Sequence, residues 1–293
     1  MYYVYYGIIK LFSLFPLSAL YALSDFIAFL MHRVFKYRYE VVMKNLSIAF
    51  PEKTEAWRRE IARKFYLNLT DTFIETIKTF SWSNEKLFAH FTVDAEEINA
   101  RKEKSQSLTV VSGHFFNWEW ANLVVSHNIK LPFIGVYMPL KNSAMDKVLY
   151  GLRKRTGTLL VPATDFKEKV KAYADRQHCL ILVADQSPAS PDRGIWLPFF
   201  GKPTPFLRGP ETNARRNDTA VFYADFYRVK RGVYHCETEW ITDDPLSFEP
   251  NELTFLLAKK VEESIRKRPD NYLWSHRRWK FDWKPEYGEV YAG

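Results

Sequence analysis

From residue 108 onward, short apolar runs rich in β-branched residues alternate with stretches of helical periodicity, and this alternation restricts the fold more than any other feature. The runs are 108–112 (LTVVS), 131–138 (LPFIGVYM), 158–162 (TLLVP) and 179–184 (CLILVA). Helical segments near 118–127, 143–156 and 165–176 separate them. Such a sequence builds βαβ units and a largely parallel sheet. Two further runs, TAVFYADFYRV and GVYHCETEWI, flank Lys230-Arg231-Gly232 and predict a hairpin on the same sheet. A last amphipathic helix is expected over 251–268. The fold class is therefore α/β: a largely parallel central sheet flanked by helices. A chain of 293 residues has ample material for its core.

Upstream the pattern differs. Residues 2–31 are almost wholly apolar, with Lys10 near one end, Asp25 near the other and Pro16 between them. The length spans a bilayer, and Tyr2, Tyr3, Tyr5 and Tyr6 resemble an interfacial belt. No basic start or small-residue cleavage site marks a signal peptide. We therefore read 1–32 as an N-terminal membrane-anchor helix. A full crossing is expected ahead of a helix lying on the surface. Arg33, Lys36, Arg38 and Lys44 follow it and place the body in the cytoplasm. Residues 33–293 then form one α/β domain, with 33–107 a helical lead-in and 108–293 the sheet-containing core. The polar stretch 83–107 carries no functional reading.

Composition narrows the partners. A net charge of +8 favours anionic ones: membrane lipid, nucleic acid or an acidic carrier protein. Aromatic residues make up 17% of the chain, which suits contact with lipid or a large core. Cys179 and Cys236 are expected reduced and buried, and the histidines lack the clustering of a zinc site.

The stretch 108–126, LTVVSGHFFNWEWANLVVS, carries the chemistry. His114 and Glu119 flank a strand–turn–helix junction. On one continuous helix their side chains would point about 140° apart, so they meet only if the chain turns between them. A carboxylate on one imidazole nitrogen makes the other a better base, as deprotonation of an alcohol requires. From spacing alone, a capping Glu beside a structural His is the commoner arrangement.

Other candidates keep two readings each. Asn142, Asp146 and Arg153 follow the run 131–138. Asp146 and Arg153 share one helical face, and Arg153 could hold a phosphate or an oxyanion or lie on a solvated basic face. Asp185 ends CLILVAD and either orients substrate or caps a turn. GIWLPFFGKPTPFLRGP (194–210) either lines an acyl pocket or packs on the core. RKRPDNYLWSHRRWKFDWK (266–284) interleaves basic and aromatic residues, which suits anionic headgroups or single-stranded nucleic acid. The N-terminal anchor favours lipid.

Taken in order, His114-Phe-Phe-Asn-Trp-Glu119, Asn142…Asp146…Arg153, VADQSP (183–188), RGIWLPFFG (193–201) and YLWSHRRWK (272–280) resemble the lipid A biosynthesis (late, or secondary) acyltransferase family, the lauroyl and myristoyl transferases of Gram-negative bacteria. The resemblance implies that His114 is the general base and that Glu119 orients and polarises it. It implies that Arg153 steadies the oxyanion or binds a lipid phosphate. Asn142, Asp146 and Asp185 join the substrate-binding set. It further implies an acyl donor on acyl carrier protein, a hydroxyl on a lipid A precursor as acceptor, the cytoplasmic face of the inner membrane, and no metal or nucleotide cofactor. Related enzymes acylate other glycolipids, so the acceptor and chain length stay open. Two competing readings are a non-catalytic membrane protein binding anionic lipid or nucleic acid through 266–284, and a hydrolase in which His114 and Glu119 activate water.

Overall fold

The computed structural model describes every residue of the chain except Ala174. The N-terminal segment forms two helices, α1 (Tyr2–Ser13) and α2 (Leu17–Phe29), the second continued by a π-helical turn over Leu30–Val34. Pro16 stands at the N-cap of α2. It lacks an N–H and drives the residue before it out of helical geometry, so two helices replace the single one expected over 1–32.

Next come α3 (Tyr39–Ala49) and the long α4 (Glu55–Thr79), capped by the Thr54 hydroxyl, which accepts from the Trp57 N–H. Both outer helices are fastened to α4 and its end. Lys78 Nζ donates to the Ser13 and Phe15 carbonyls at 2.8 and 2.7 Å, satisfying the C-terminal end of α1. Ser24 donates to Asp71 at 2.7 Å and Tyr21 to Glu75 at 2.8 Å. On the opposite side Tyr3, Ile8, Leu11, Phe12, Phe26 and Phe29 stand exposed. The stretch Leu17–Val34 is long and apolar enough to cross a membrane, and 22% of it is buried.

After α5 (Asn84–Phe88) the chain adds β1 (Phe91–Val93) and α6 (Glu96–Ala100). A three-residue strand is too short to register as a periodicity, which is why 83–107 predicted nothing. The alternating region follows: β2 (Leu108–Ser112), α7 (Trp118–Asn128), β3 (Phe133–Tyr137), α8 (Ser143–Arg153) and β4 (Leu159–Pro162). The helix expected over 165–176 reduces to one α-turn, α9 (Phe166–Lys169), between 3-10 turns, and Ala174 lies outside the described residues. Then come β5 (Cys179–Val183), the hairpin of β6 (Ile195–Phe199) and β7 (Lys202–Phe206), α10 (Gly209–Asn217), β8 (Ala220–Lys230), β9 (Val233–Thr242) and α11 (Glu252–Lys267).

The main sheet runs β1-β9-β8-β2-β5-β3-β4. Every neighbouring pair is parallel except β8 and β9, which form the expected hairpin. Gly232 turns it with φ +73°, in the region that favours glycine. β2 is buried along its whole length between β5 and β8, which accounts for its unbroken apolar run. Cys179 and Cys236 are buried and unbridged.

Two segments given alternative roles resolve as core. In the β6–β7 hairpin Trp196, Leu197, Phe199 and Phe206 are buried in the interior, and none of them lines the large cavity described below. In 266–284, Tyr272, Trp274, Arg278 and Trp279 are all buried. Asn45 in α3 donates to the carbonyls of Trp274 and His276 at 2.8 and 2.7 Å. The central part of this segment is therefore an inner brace and not a binding surface, while Arg266, Lys267, Arg277 and Lys280 stay exposed.

Candidate active site

β2 and β5 are parallel neighbours in a register that pairs Ser112 with Val183. His114 and Asp185 each lie two residues beyond that pair, so the sheet itself sets them side by side at the carboxyl ends of its strands. Ligands of open α/β sheets bind at such ends. His114 Nδ1 is 2.6 Å from Asp185 Oδ1. The His114 side chain is 28% exposed and that of Asp185 1%, so the ring faces outward with the carboxylate behind it.

Asp185 fixes the tautomer. A carboxylate accepts, so Nδ1 carries the hydrogen and Nε2 keeps its lone pair. The Gln186 amide sits 3.0 Å from Nε2. Burial alone would raise the Asp185 pKa, but the charge and hydrogen bonds of His114 outweigh it and hold the group down at about 2. The carboxylate is thus ionised at any physiological pH, as an orienting partner must be.

Glu119 reaches the site by another route. Asn117 caps α7, its Oδ1 accepting from the N–H groups of Glu119 and Trp120 at 3.1 and 3.2 Å. Asn is among the preferred residues there, and a carboxylate in the first turn suits the helix dipole. The Glu119 side chain, 9% exposed, receives Arg153 from the last turn of α8, with Nε 2.9 Å and Nη2 2.5 Å from its two oxygens. Burial opposes the Arg153 charge, yet the Glu119 hydrogen bond and charge prevail and raise its pKa.

Among the described residues no hydrogen bond joins His114 to Glu119, so the expected contact is corrected. The bend after β2 brings both groups to one cavity, but strand pairing gives the imidazole to Asp185 and helix geometry gives Glu119 to Arg153. Gly113 makes the bend possible at close quarters: a Cβ there would lie 2.7 Å from the Phe115 ring. The segment is then pinned to the inner brace. Phe116 N–H donates to Asn271 O and Leu273 N–H to His114 O, both at 3.1 Å.

The cavity measures about 280 Å³. Glu119 and Arg153 supply its charged groups, His114, Tyr137 and Cys236 add an imidazole, a phenol and a thiol, and its walls are mostly apolar, including Trp118, Phe133, Val136, Leu160 and Phe226. Ligand pockets commonly combine such a lining with a few convergent polar groups. Asn142 and Asp146 are not part of it. Asn142 caps α8, accepting from Ala144 and Met145 at 3.1 Å, and donates to Tyr5 in α1. Asp146 accepts from the Leu140 N–H at 2.8 Å. Their geometry is that of caps and ties.

Sequence reading passed over Asn117, although an Asn just ahead of a helical run is a start signal. Tyr272, whose hydroxyl is buried, and His276 gave no such signal. His276 Nε2 accepts from the Ser187 N–H at 3.1 Å, and burial holds its pKa down at about 4, which keeps it neutral.

Fold and site together define an α/β protein with a hydrogen-bonded His–Asp pair at the carboxyl ends of parallel strands, next to an apolar cavity. Residues 1–281 match the family model of bacterial lipid A biosynthesis acyltransferases, and the chain belongs to that family. It is 24% identical to the lipid A biosynthesis lauroyltransferase of Escherichia coli (strain K12), over 94% of this chain and 89% of that protein. It is 21% identical to the palmitoleoyltransferase of the same strain over the same shares, and 23% identical to a lipid A biosynthesis acyltransferase of Haemophilus influenzae over 83% of this chain and 78% of that one.

Proposed function

We propose that this protein transfers a fatty acyl chain from acyl carrier protein to a hydroxyl of a lipid A precursor, the secondary acylation of that lipid, at a membrane surface. The observation that carries the chemistry is the hydrogen bond between His114 Nδ1 and Asp185 beside the apolar cavity. His114 Nε2 takes the proton of the acceptor hydroxyl once Gln186 yields its place. The oxygen attacks the thioester carbonyl, an oxygen–carbon bond forms, the carbon–sulfur bond breaks, and the proton passes from His114 to the departing thiolate. Asp185 takes the orienting role first given to Glu119. Glu119 instead holds Arg153 in the wall of the cavity that His114 also lines, and the guanidinium donors not bound to Glu119 are left to steady the oxyanion. The apolar walls take the acyl chain.

Membrane placement is supported by α1 and α2, whose polar sides bind the body and whose outer sides expose Leu11, Phe12, Phe26 and Phe29. Helices fastened along their length in this way lie on a bilayer more readily than they cross it. Arg33, Lys36, Arg38 and Lys44, just after α2, suit the anionic cytoplasmic leaflet of the inner membrane. The charge of +8 suits an acidic carrier protein.

The test is acyl transfer by the purified full chain, with acyl carrier protein thioester as donor and vesicles containing lipid A precursor. His114→Ala should fold and lose about 10²–10⁴-fold in rate. Undiminished transfer by that variant would end the proposal, and release of free fatty acid with no acceptor product would establish a hydrolase instead. Mass spectrometry of membrane lipids with and without the gene identifies the acceptor and the added mass.

A further inference from the structure

We propose that Glu75 is a positioning residue for the transfer reaction, holding through Asn117 the helix terminus that presents Glu119 to the site. The inference rests on the reading of His114, Glu119 and Arg153 given above. Glu75 lies in α4, is fully buried, and stands outside the cavity lining.

Three donors converge on its carboxylate from three elements. Tyr21 in α2 donates to Oε1 at 2.8 Å, while Asn117 Nδ2 and Tyr234 in β9 donate to Oε2 at 2.9 and 2.8 Å. Its main-chain oxygen accepts from Trp120 Nε1 at 3.2 Å, and that indole also donates to Thr79 at 2.7 Å. An amide side chain is planar, so fixing Nδ2 of Asn117 also fixes Oδ1, the atom that caps Glu119 and Trp120. The chain of contacts thus runs from Glu75 through Asn117 to the first turn of α7, and from Glu119 to Arg153.

Among the described residues Glu75 has no cation within ion-pairing distance. Arg228 and Arg231 pair with Asp71, one turn earlier in α4. A carboxylate buried without a counter-ion is costly, and here its hydrogen bonds converge on the capping residue of the site helix. The outer helix α2 shares that carboxylate, so the seating of the membrane-facing helix and the aim of Glu119 depend on one group.

The test exchanges donor and acceptor. Glu75→Gln can keep all three contacts, its amide oxygen accepting from Asn117 and Tyr234 and its amide N–H donating to Tyr21. Asn117→Asp keeps a capping oxygen but replaces the amide that donates to Glu75 with a second carboxyl group. The double variant restores one donor between them. With donor thioester and precursor vesicles, Glu75→Gln should stay within about threefold of the wild-type kcat. Asn117→Asp should fall about 10²-fold with KM for the donor unchanged, the scale expected of an ångström-sized misplacement. The double variant should recover to within roughly tenfold of wild type. Circular dichroism and melting curves accompany each. If Asn117→Asp fails to fold, Asn117→Ser, which caps but falls short of Glu75, replaces it and should show the same loss of kcat.

A folded Asn117 variant with wild-type kcat would overturn the inference, as would a folded double variant no better than Asn117→Asp. Absence of transfer by the wild-type protein would instead strike the functional reading beneath it.

Discussion

His114 and Asp185 meet because β2 and β5 are parallel neighbours in matched register, each residue standing two positions past the paired strand ends. Their contact is a property of the sheet rather than of any local motif. Asp185→Asn keeps the shape of the contact but offers an amide that can stabilise the wrong imidazole tautomer. It should lower kcat by about 10²–10⁴-fold and leave donor KM nearly unchanged. Steady-state acyl transfer measures this, and a kcat within threefold of wild type would remove Asp185 from the orienting role.

Glu119 and Arg153 behave as a unit. Their side chains are 9% and 18% exposed, and removing one partner leaves the other charge buried. Glu119→Ala should destabilise the protein by about 3–5 kcal/mol, the range for breaking a buried pair. Adding Arg153→Met should recover part of that stability and none of the activity. Arg153→Lys retains the charge but not the two parallel hydrogen bonds, and its kcat should fall as well. Urea titrations beside transfer assays separate the two effects.

Two groups, Glu75 and His276, make stability depend on pH in opposite senses. Burial pushes Glu75 up to about 7 from an ordinary 4.5, so the folded state holds its proton more tightly than the unfolded chain. That contribution is full below pH 4.5 and is lost as pH rises through 7, a change on the order of 3 kcal/mol. His276 is held down at about 4 from 6.5, so its contribution is present above pH 6.5 and is lost as pH falls toward 4. Urea midpoints at pH 5, 7 and 9 should show Glu75→Gln gaining on wild type as pH rises. Parallel profiles for the two proteins would contradict this assignment.

The outer faces of α1 and α2 carry a fourth expectation. Replacing Phe12 and Phe26, both exposed, by Asp should abolish co-sedimentation with anionic vesicles. The melting temperature should move by no more than a few degrees, because neither ring is packed in the core. A variant that still binds vesicles as wild type does would place the membrane contact elsewhere.

Much of the architecture was legible from residue order. Apolar runs with β-branched residues marked β2, β3, β4 and β5, and Lys230-Arg231-Gly232 marked the hairpin, because each signal lies within a few residues of chain. The β1 strand and the broken helix around α9 were not legible, being too short for periodicity to register. The apolar character of the N-terminus was legible, but not that two helices would lie along α4, since that depends on Tyr21, Ser24 and Asp25 finding Glu75, Asp71 and Arg231.

The sequence by itself determined an α/β chain with a bend after β2 and an imidazole and a carboxylate near it, because turn chemistry and periodicity act over short separations. Tertiary structure alone decided the pairing: 71 residues separate His114 from Asp185 and 34 separate Glu119 from Arg153. Strand order and helix packing set those distances, and one-dimensional spacing carries no record of either.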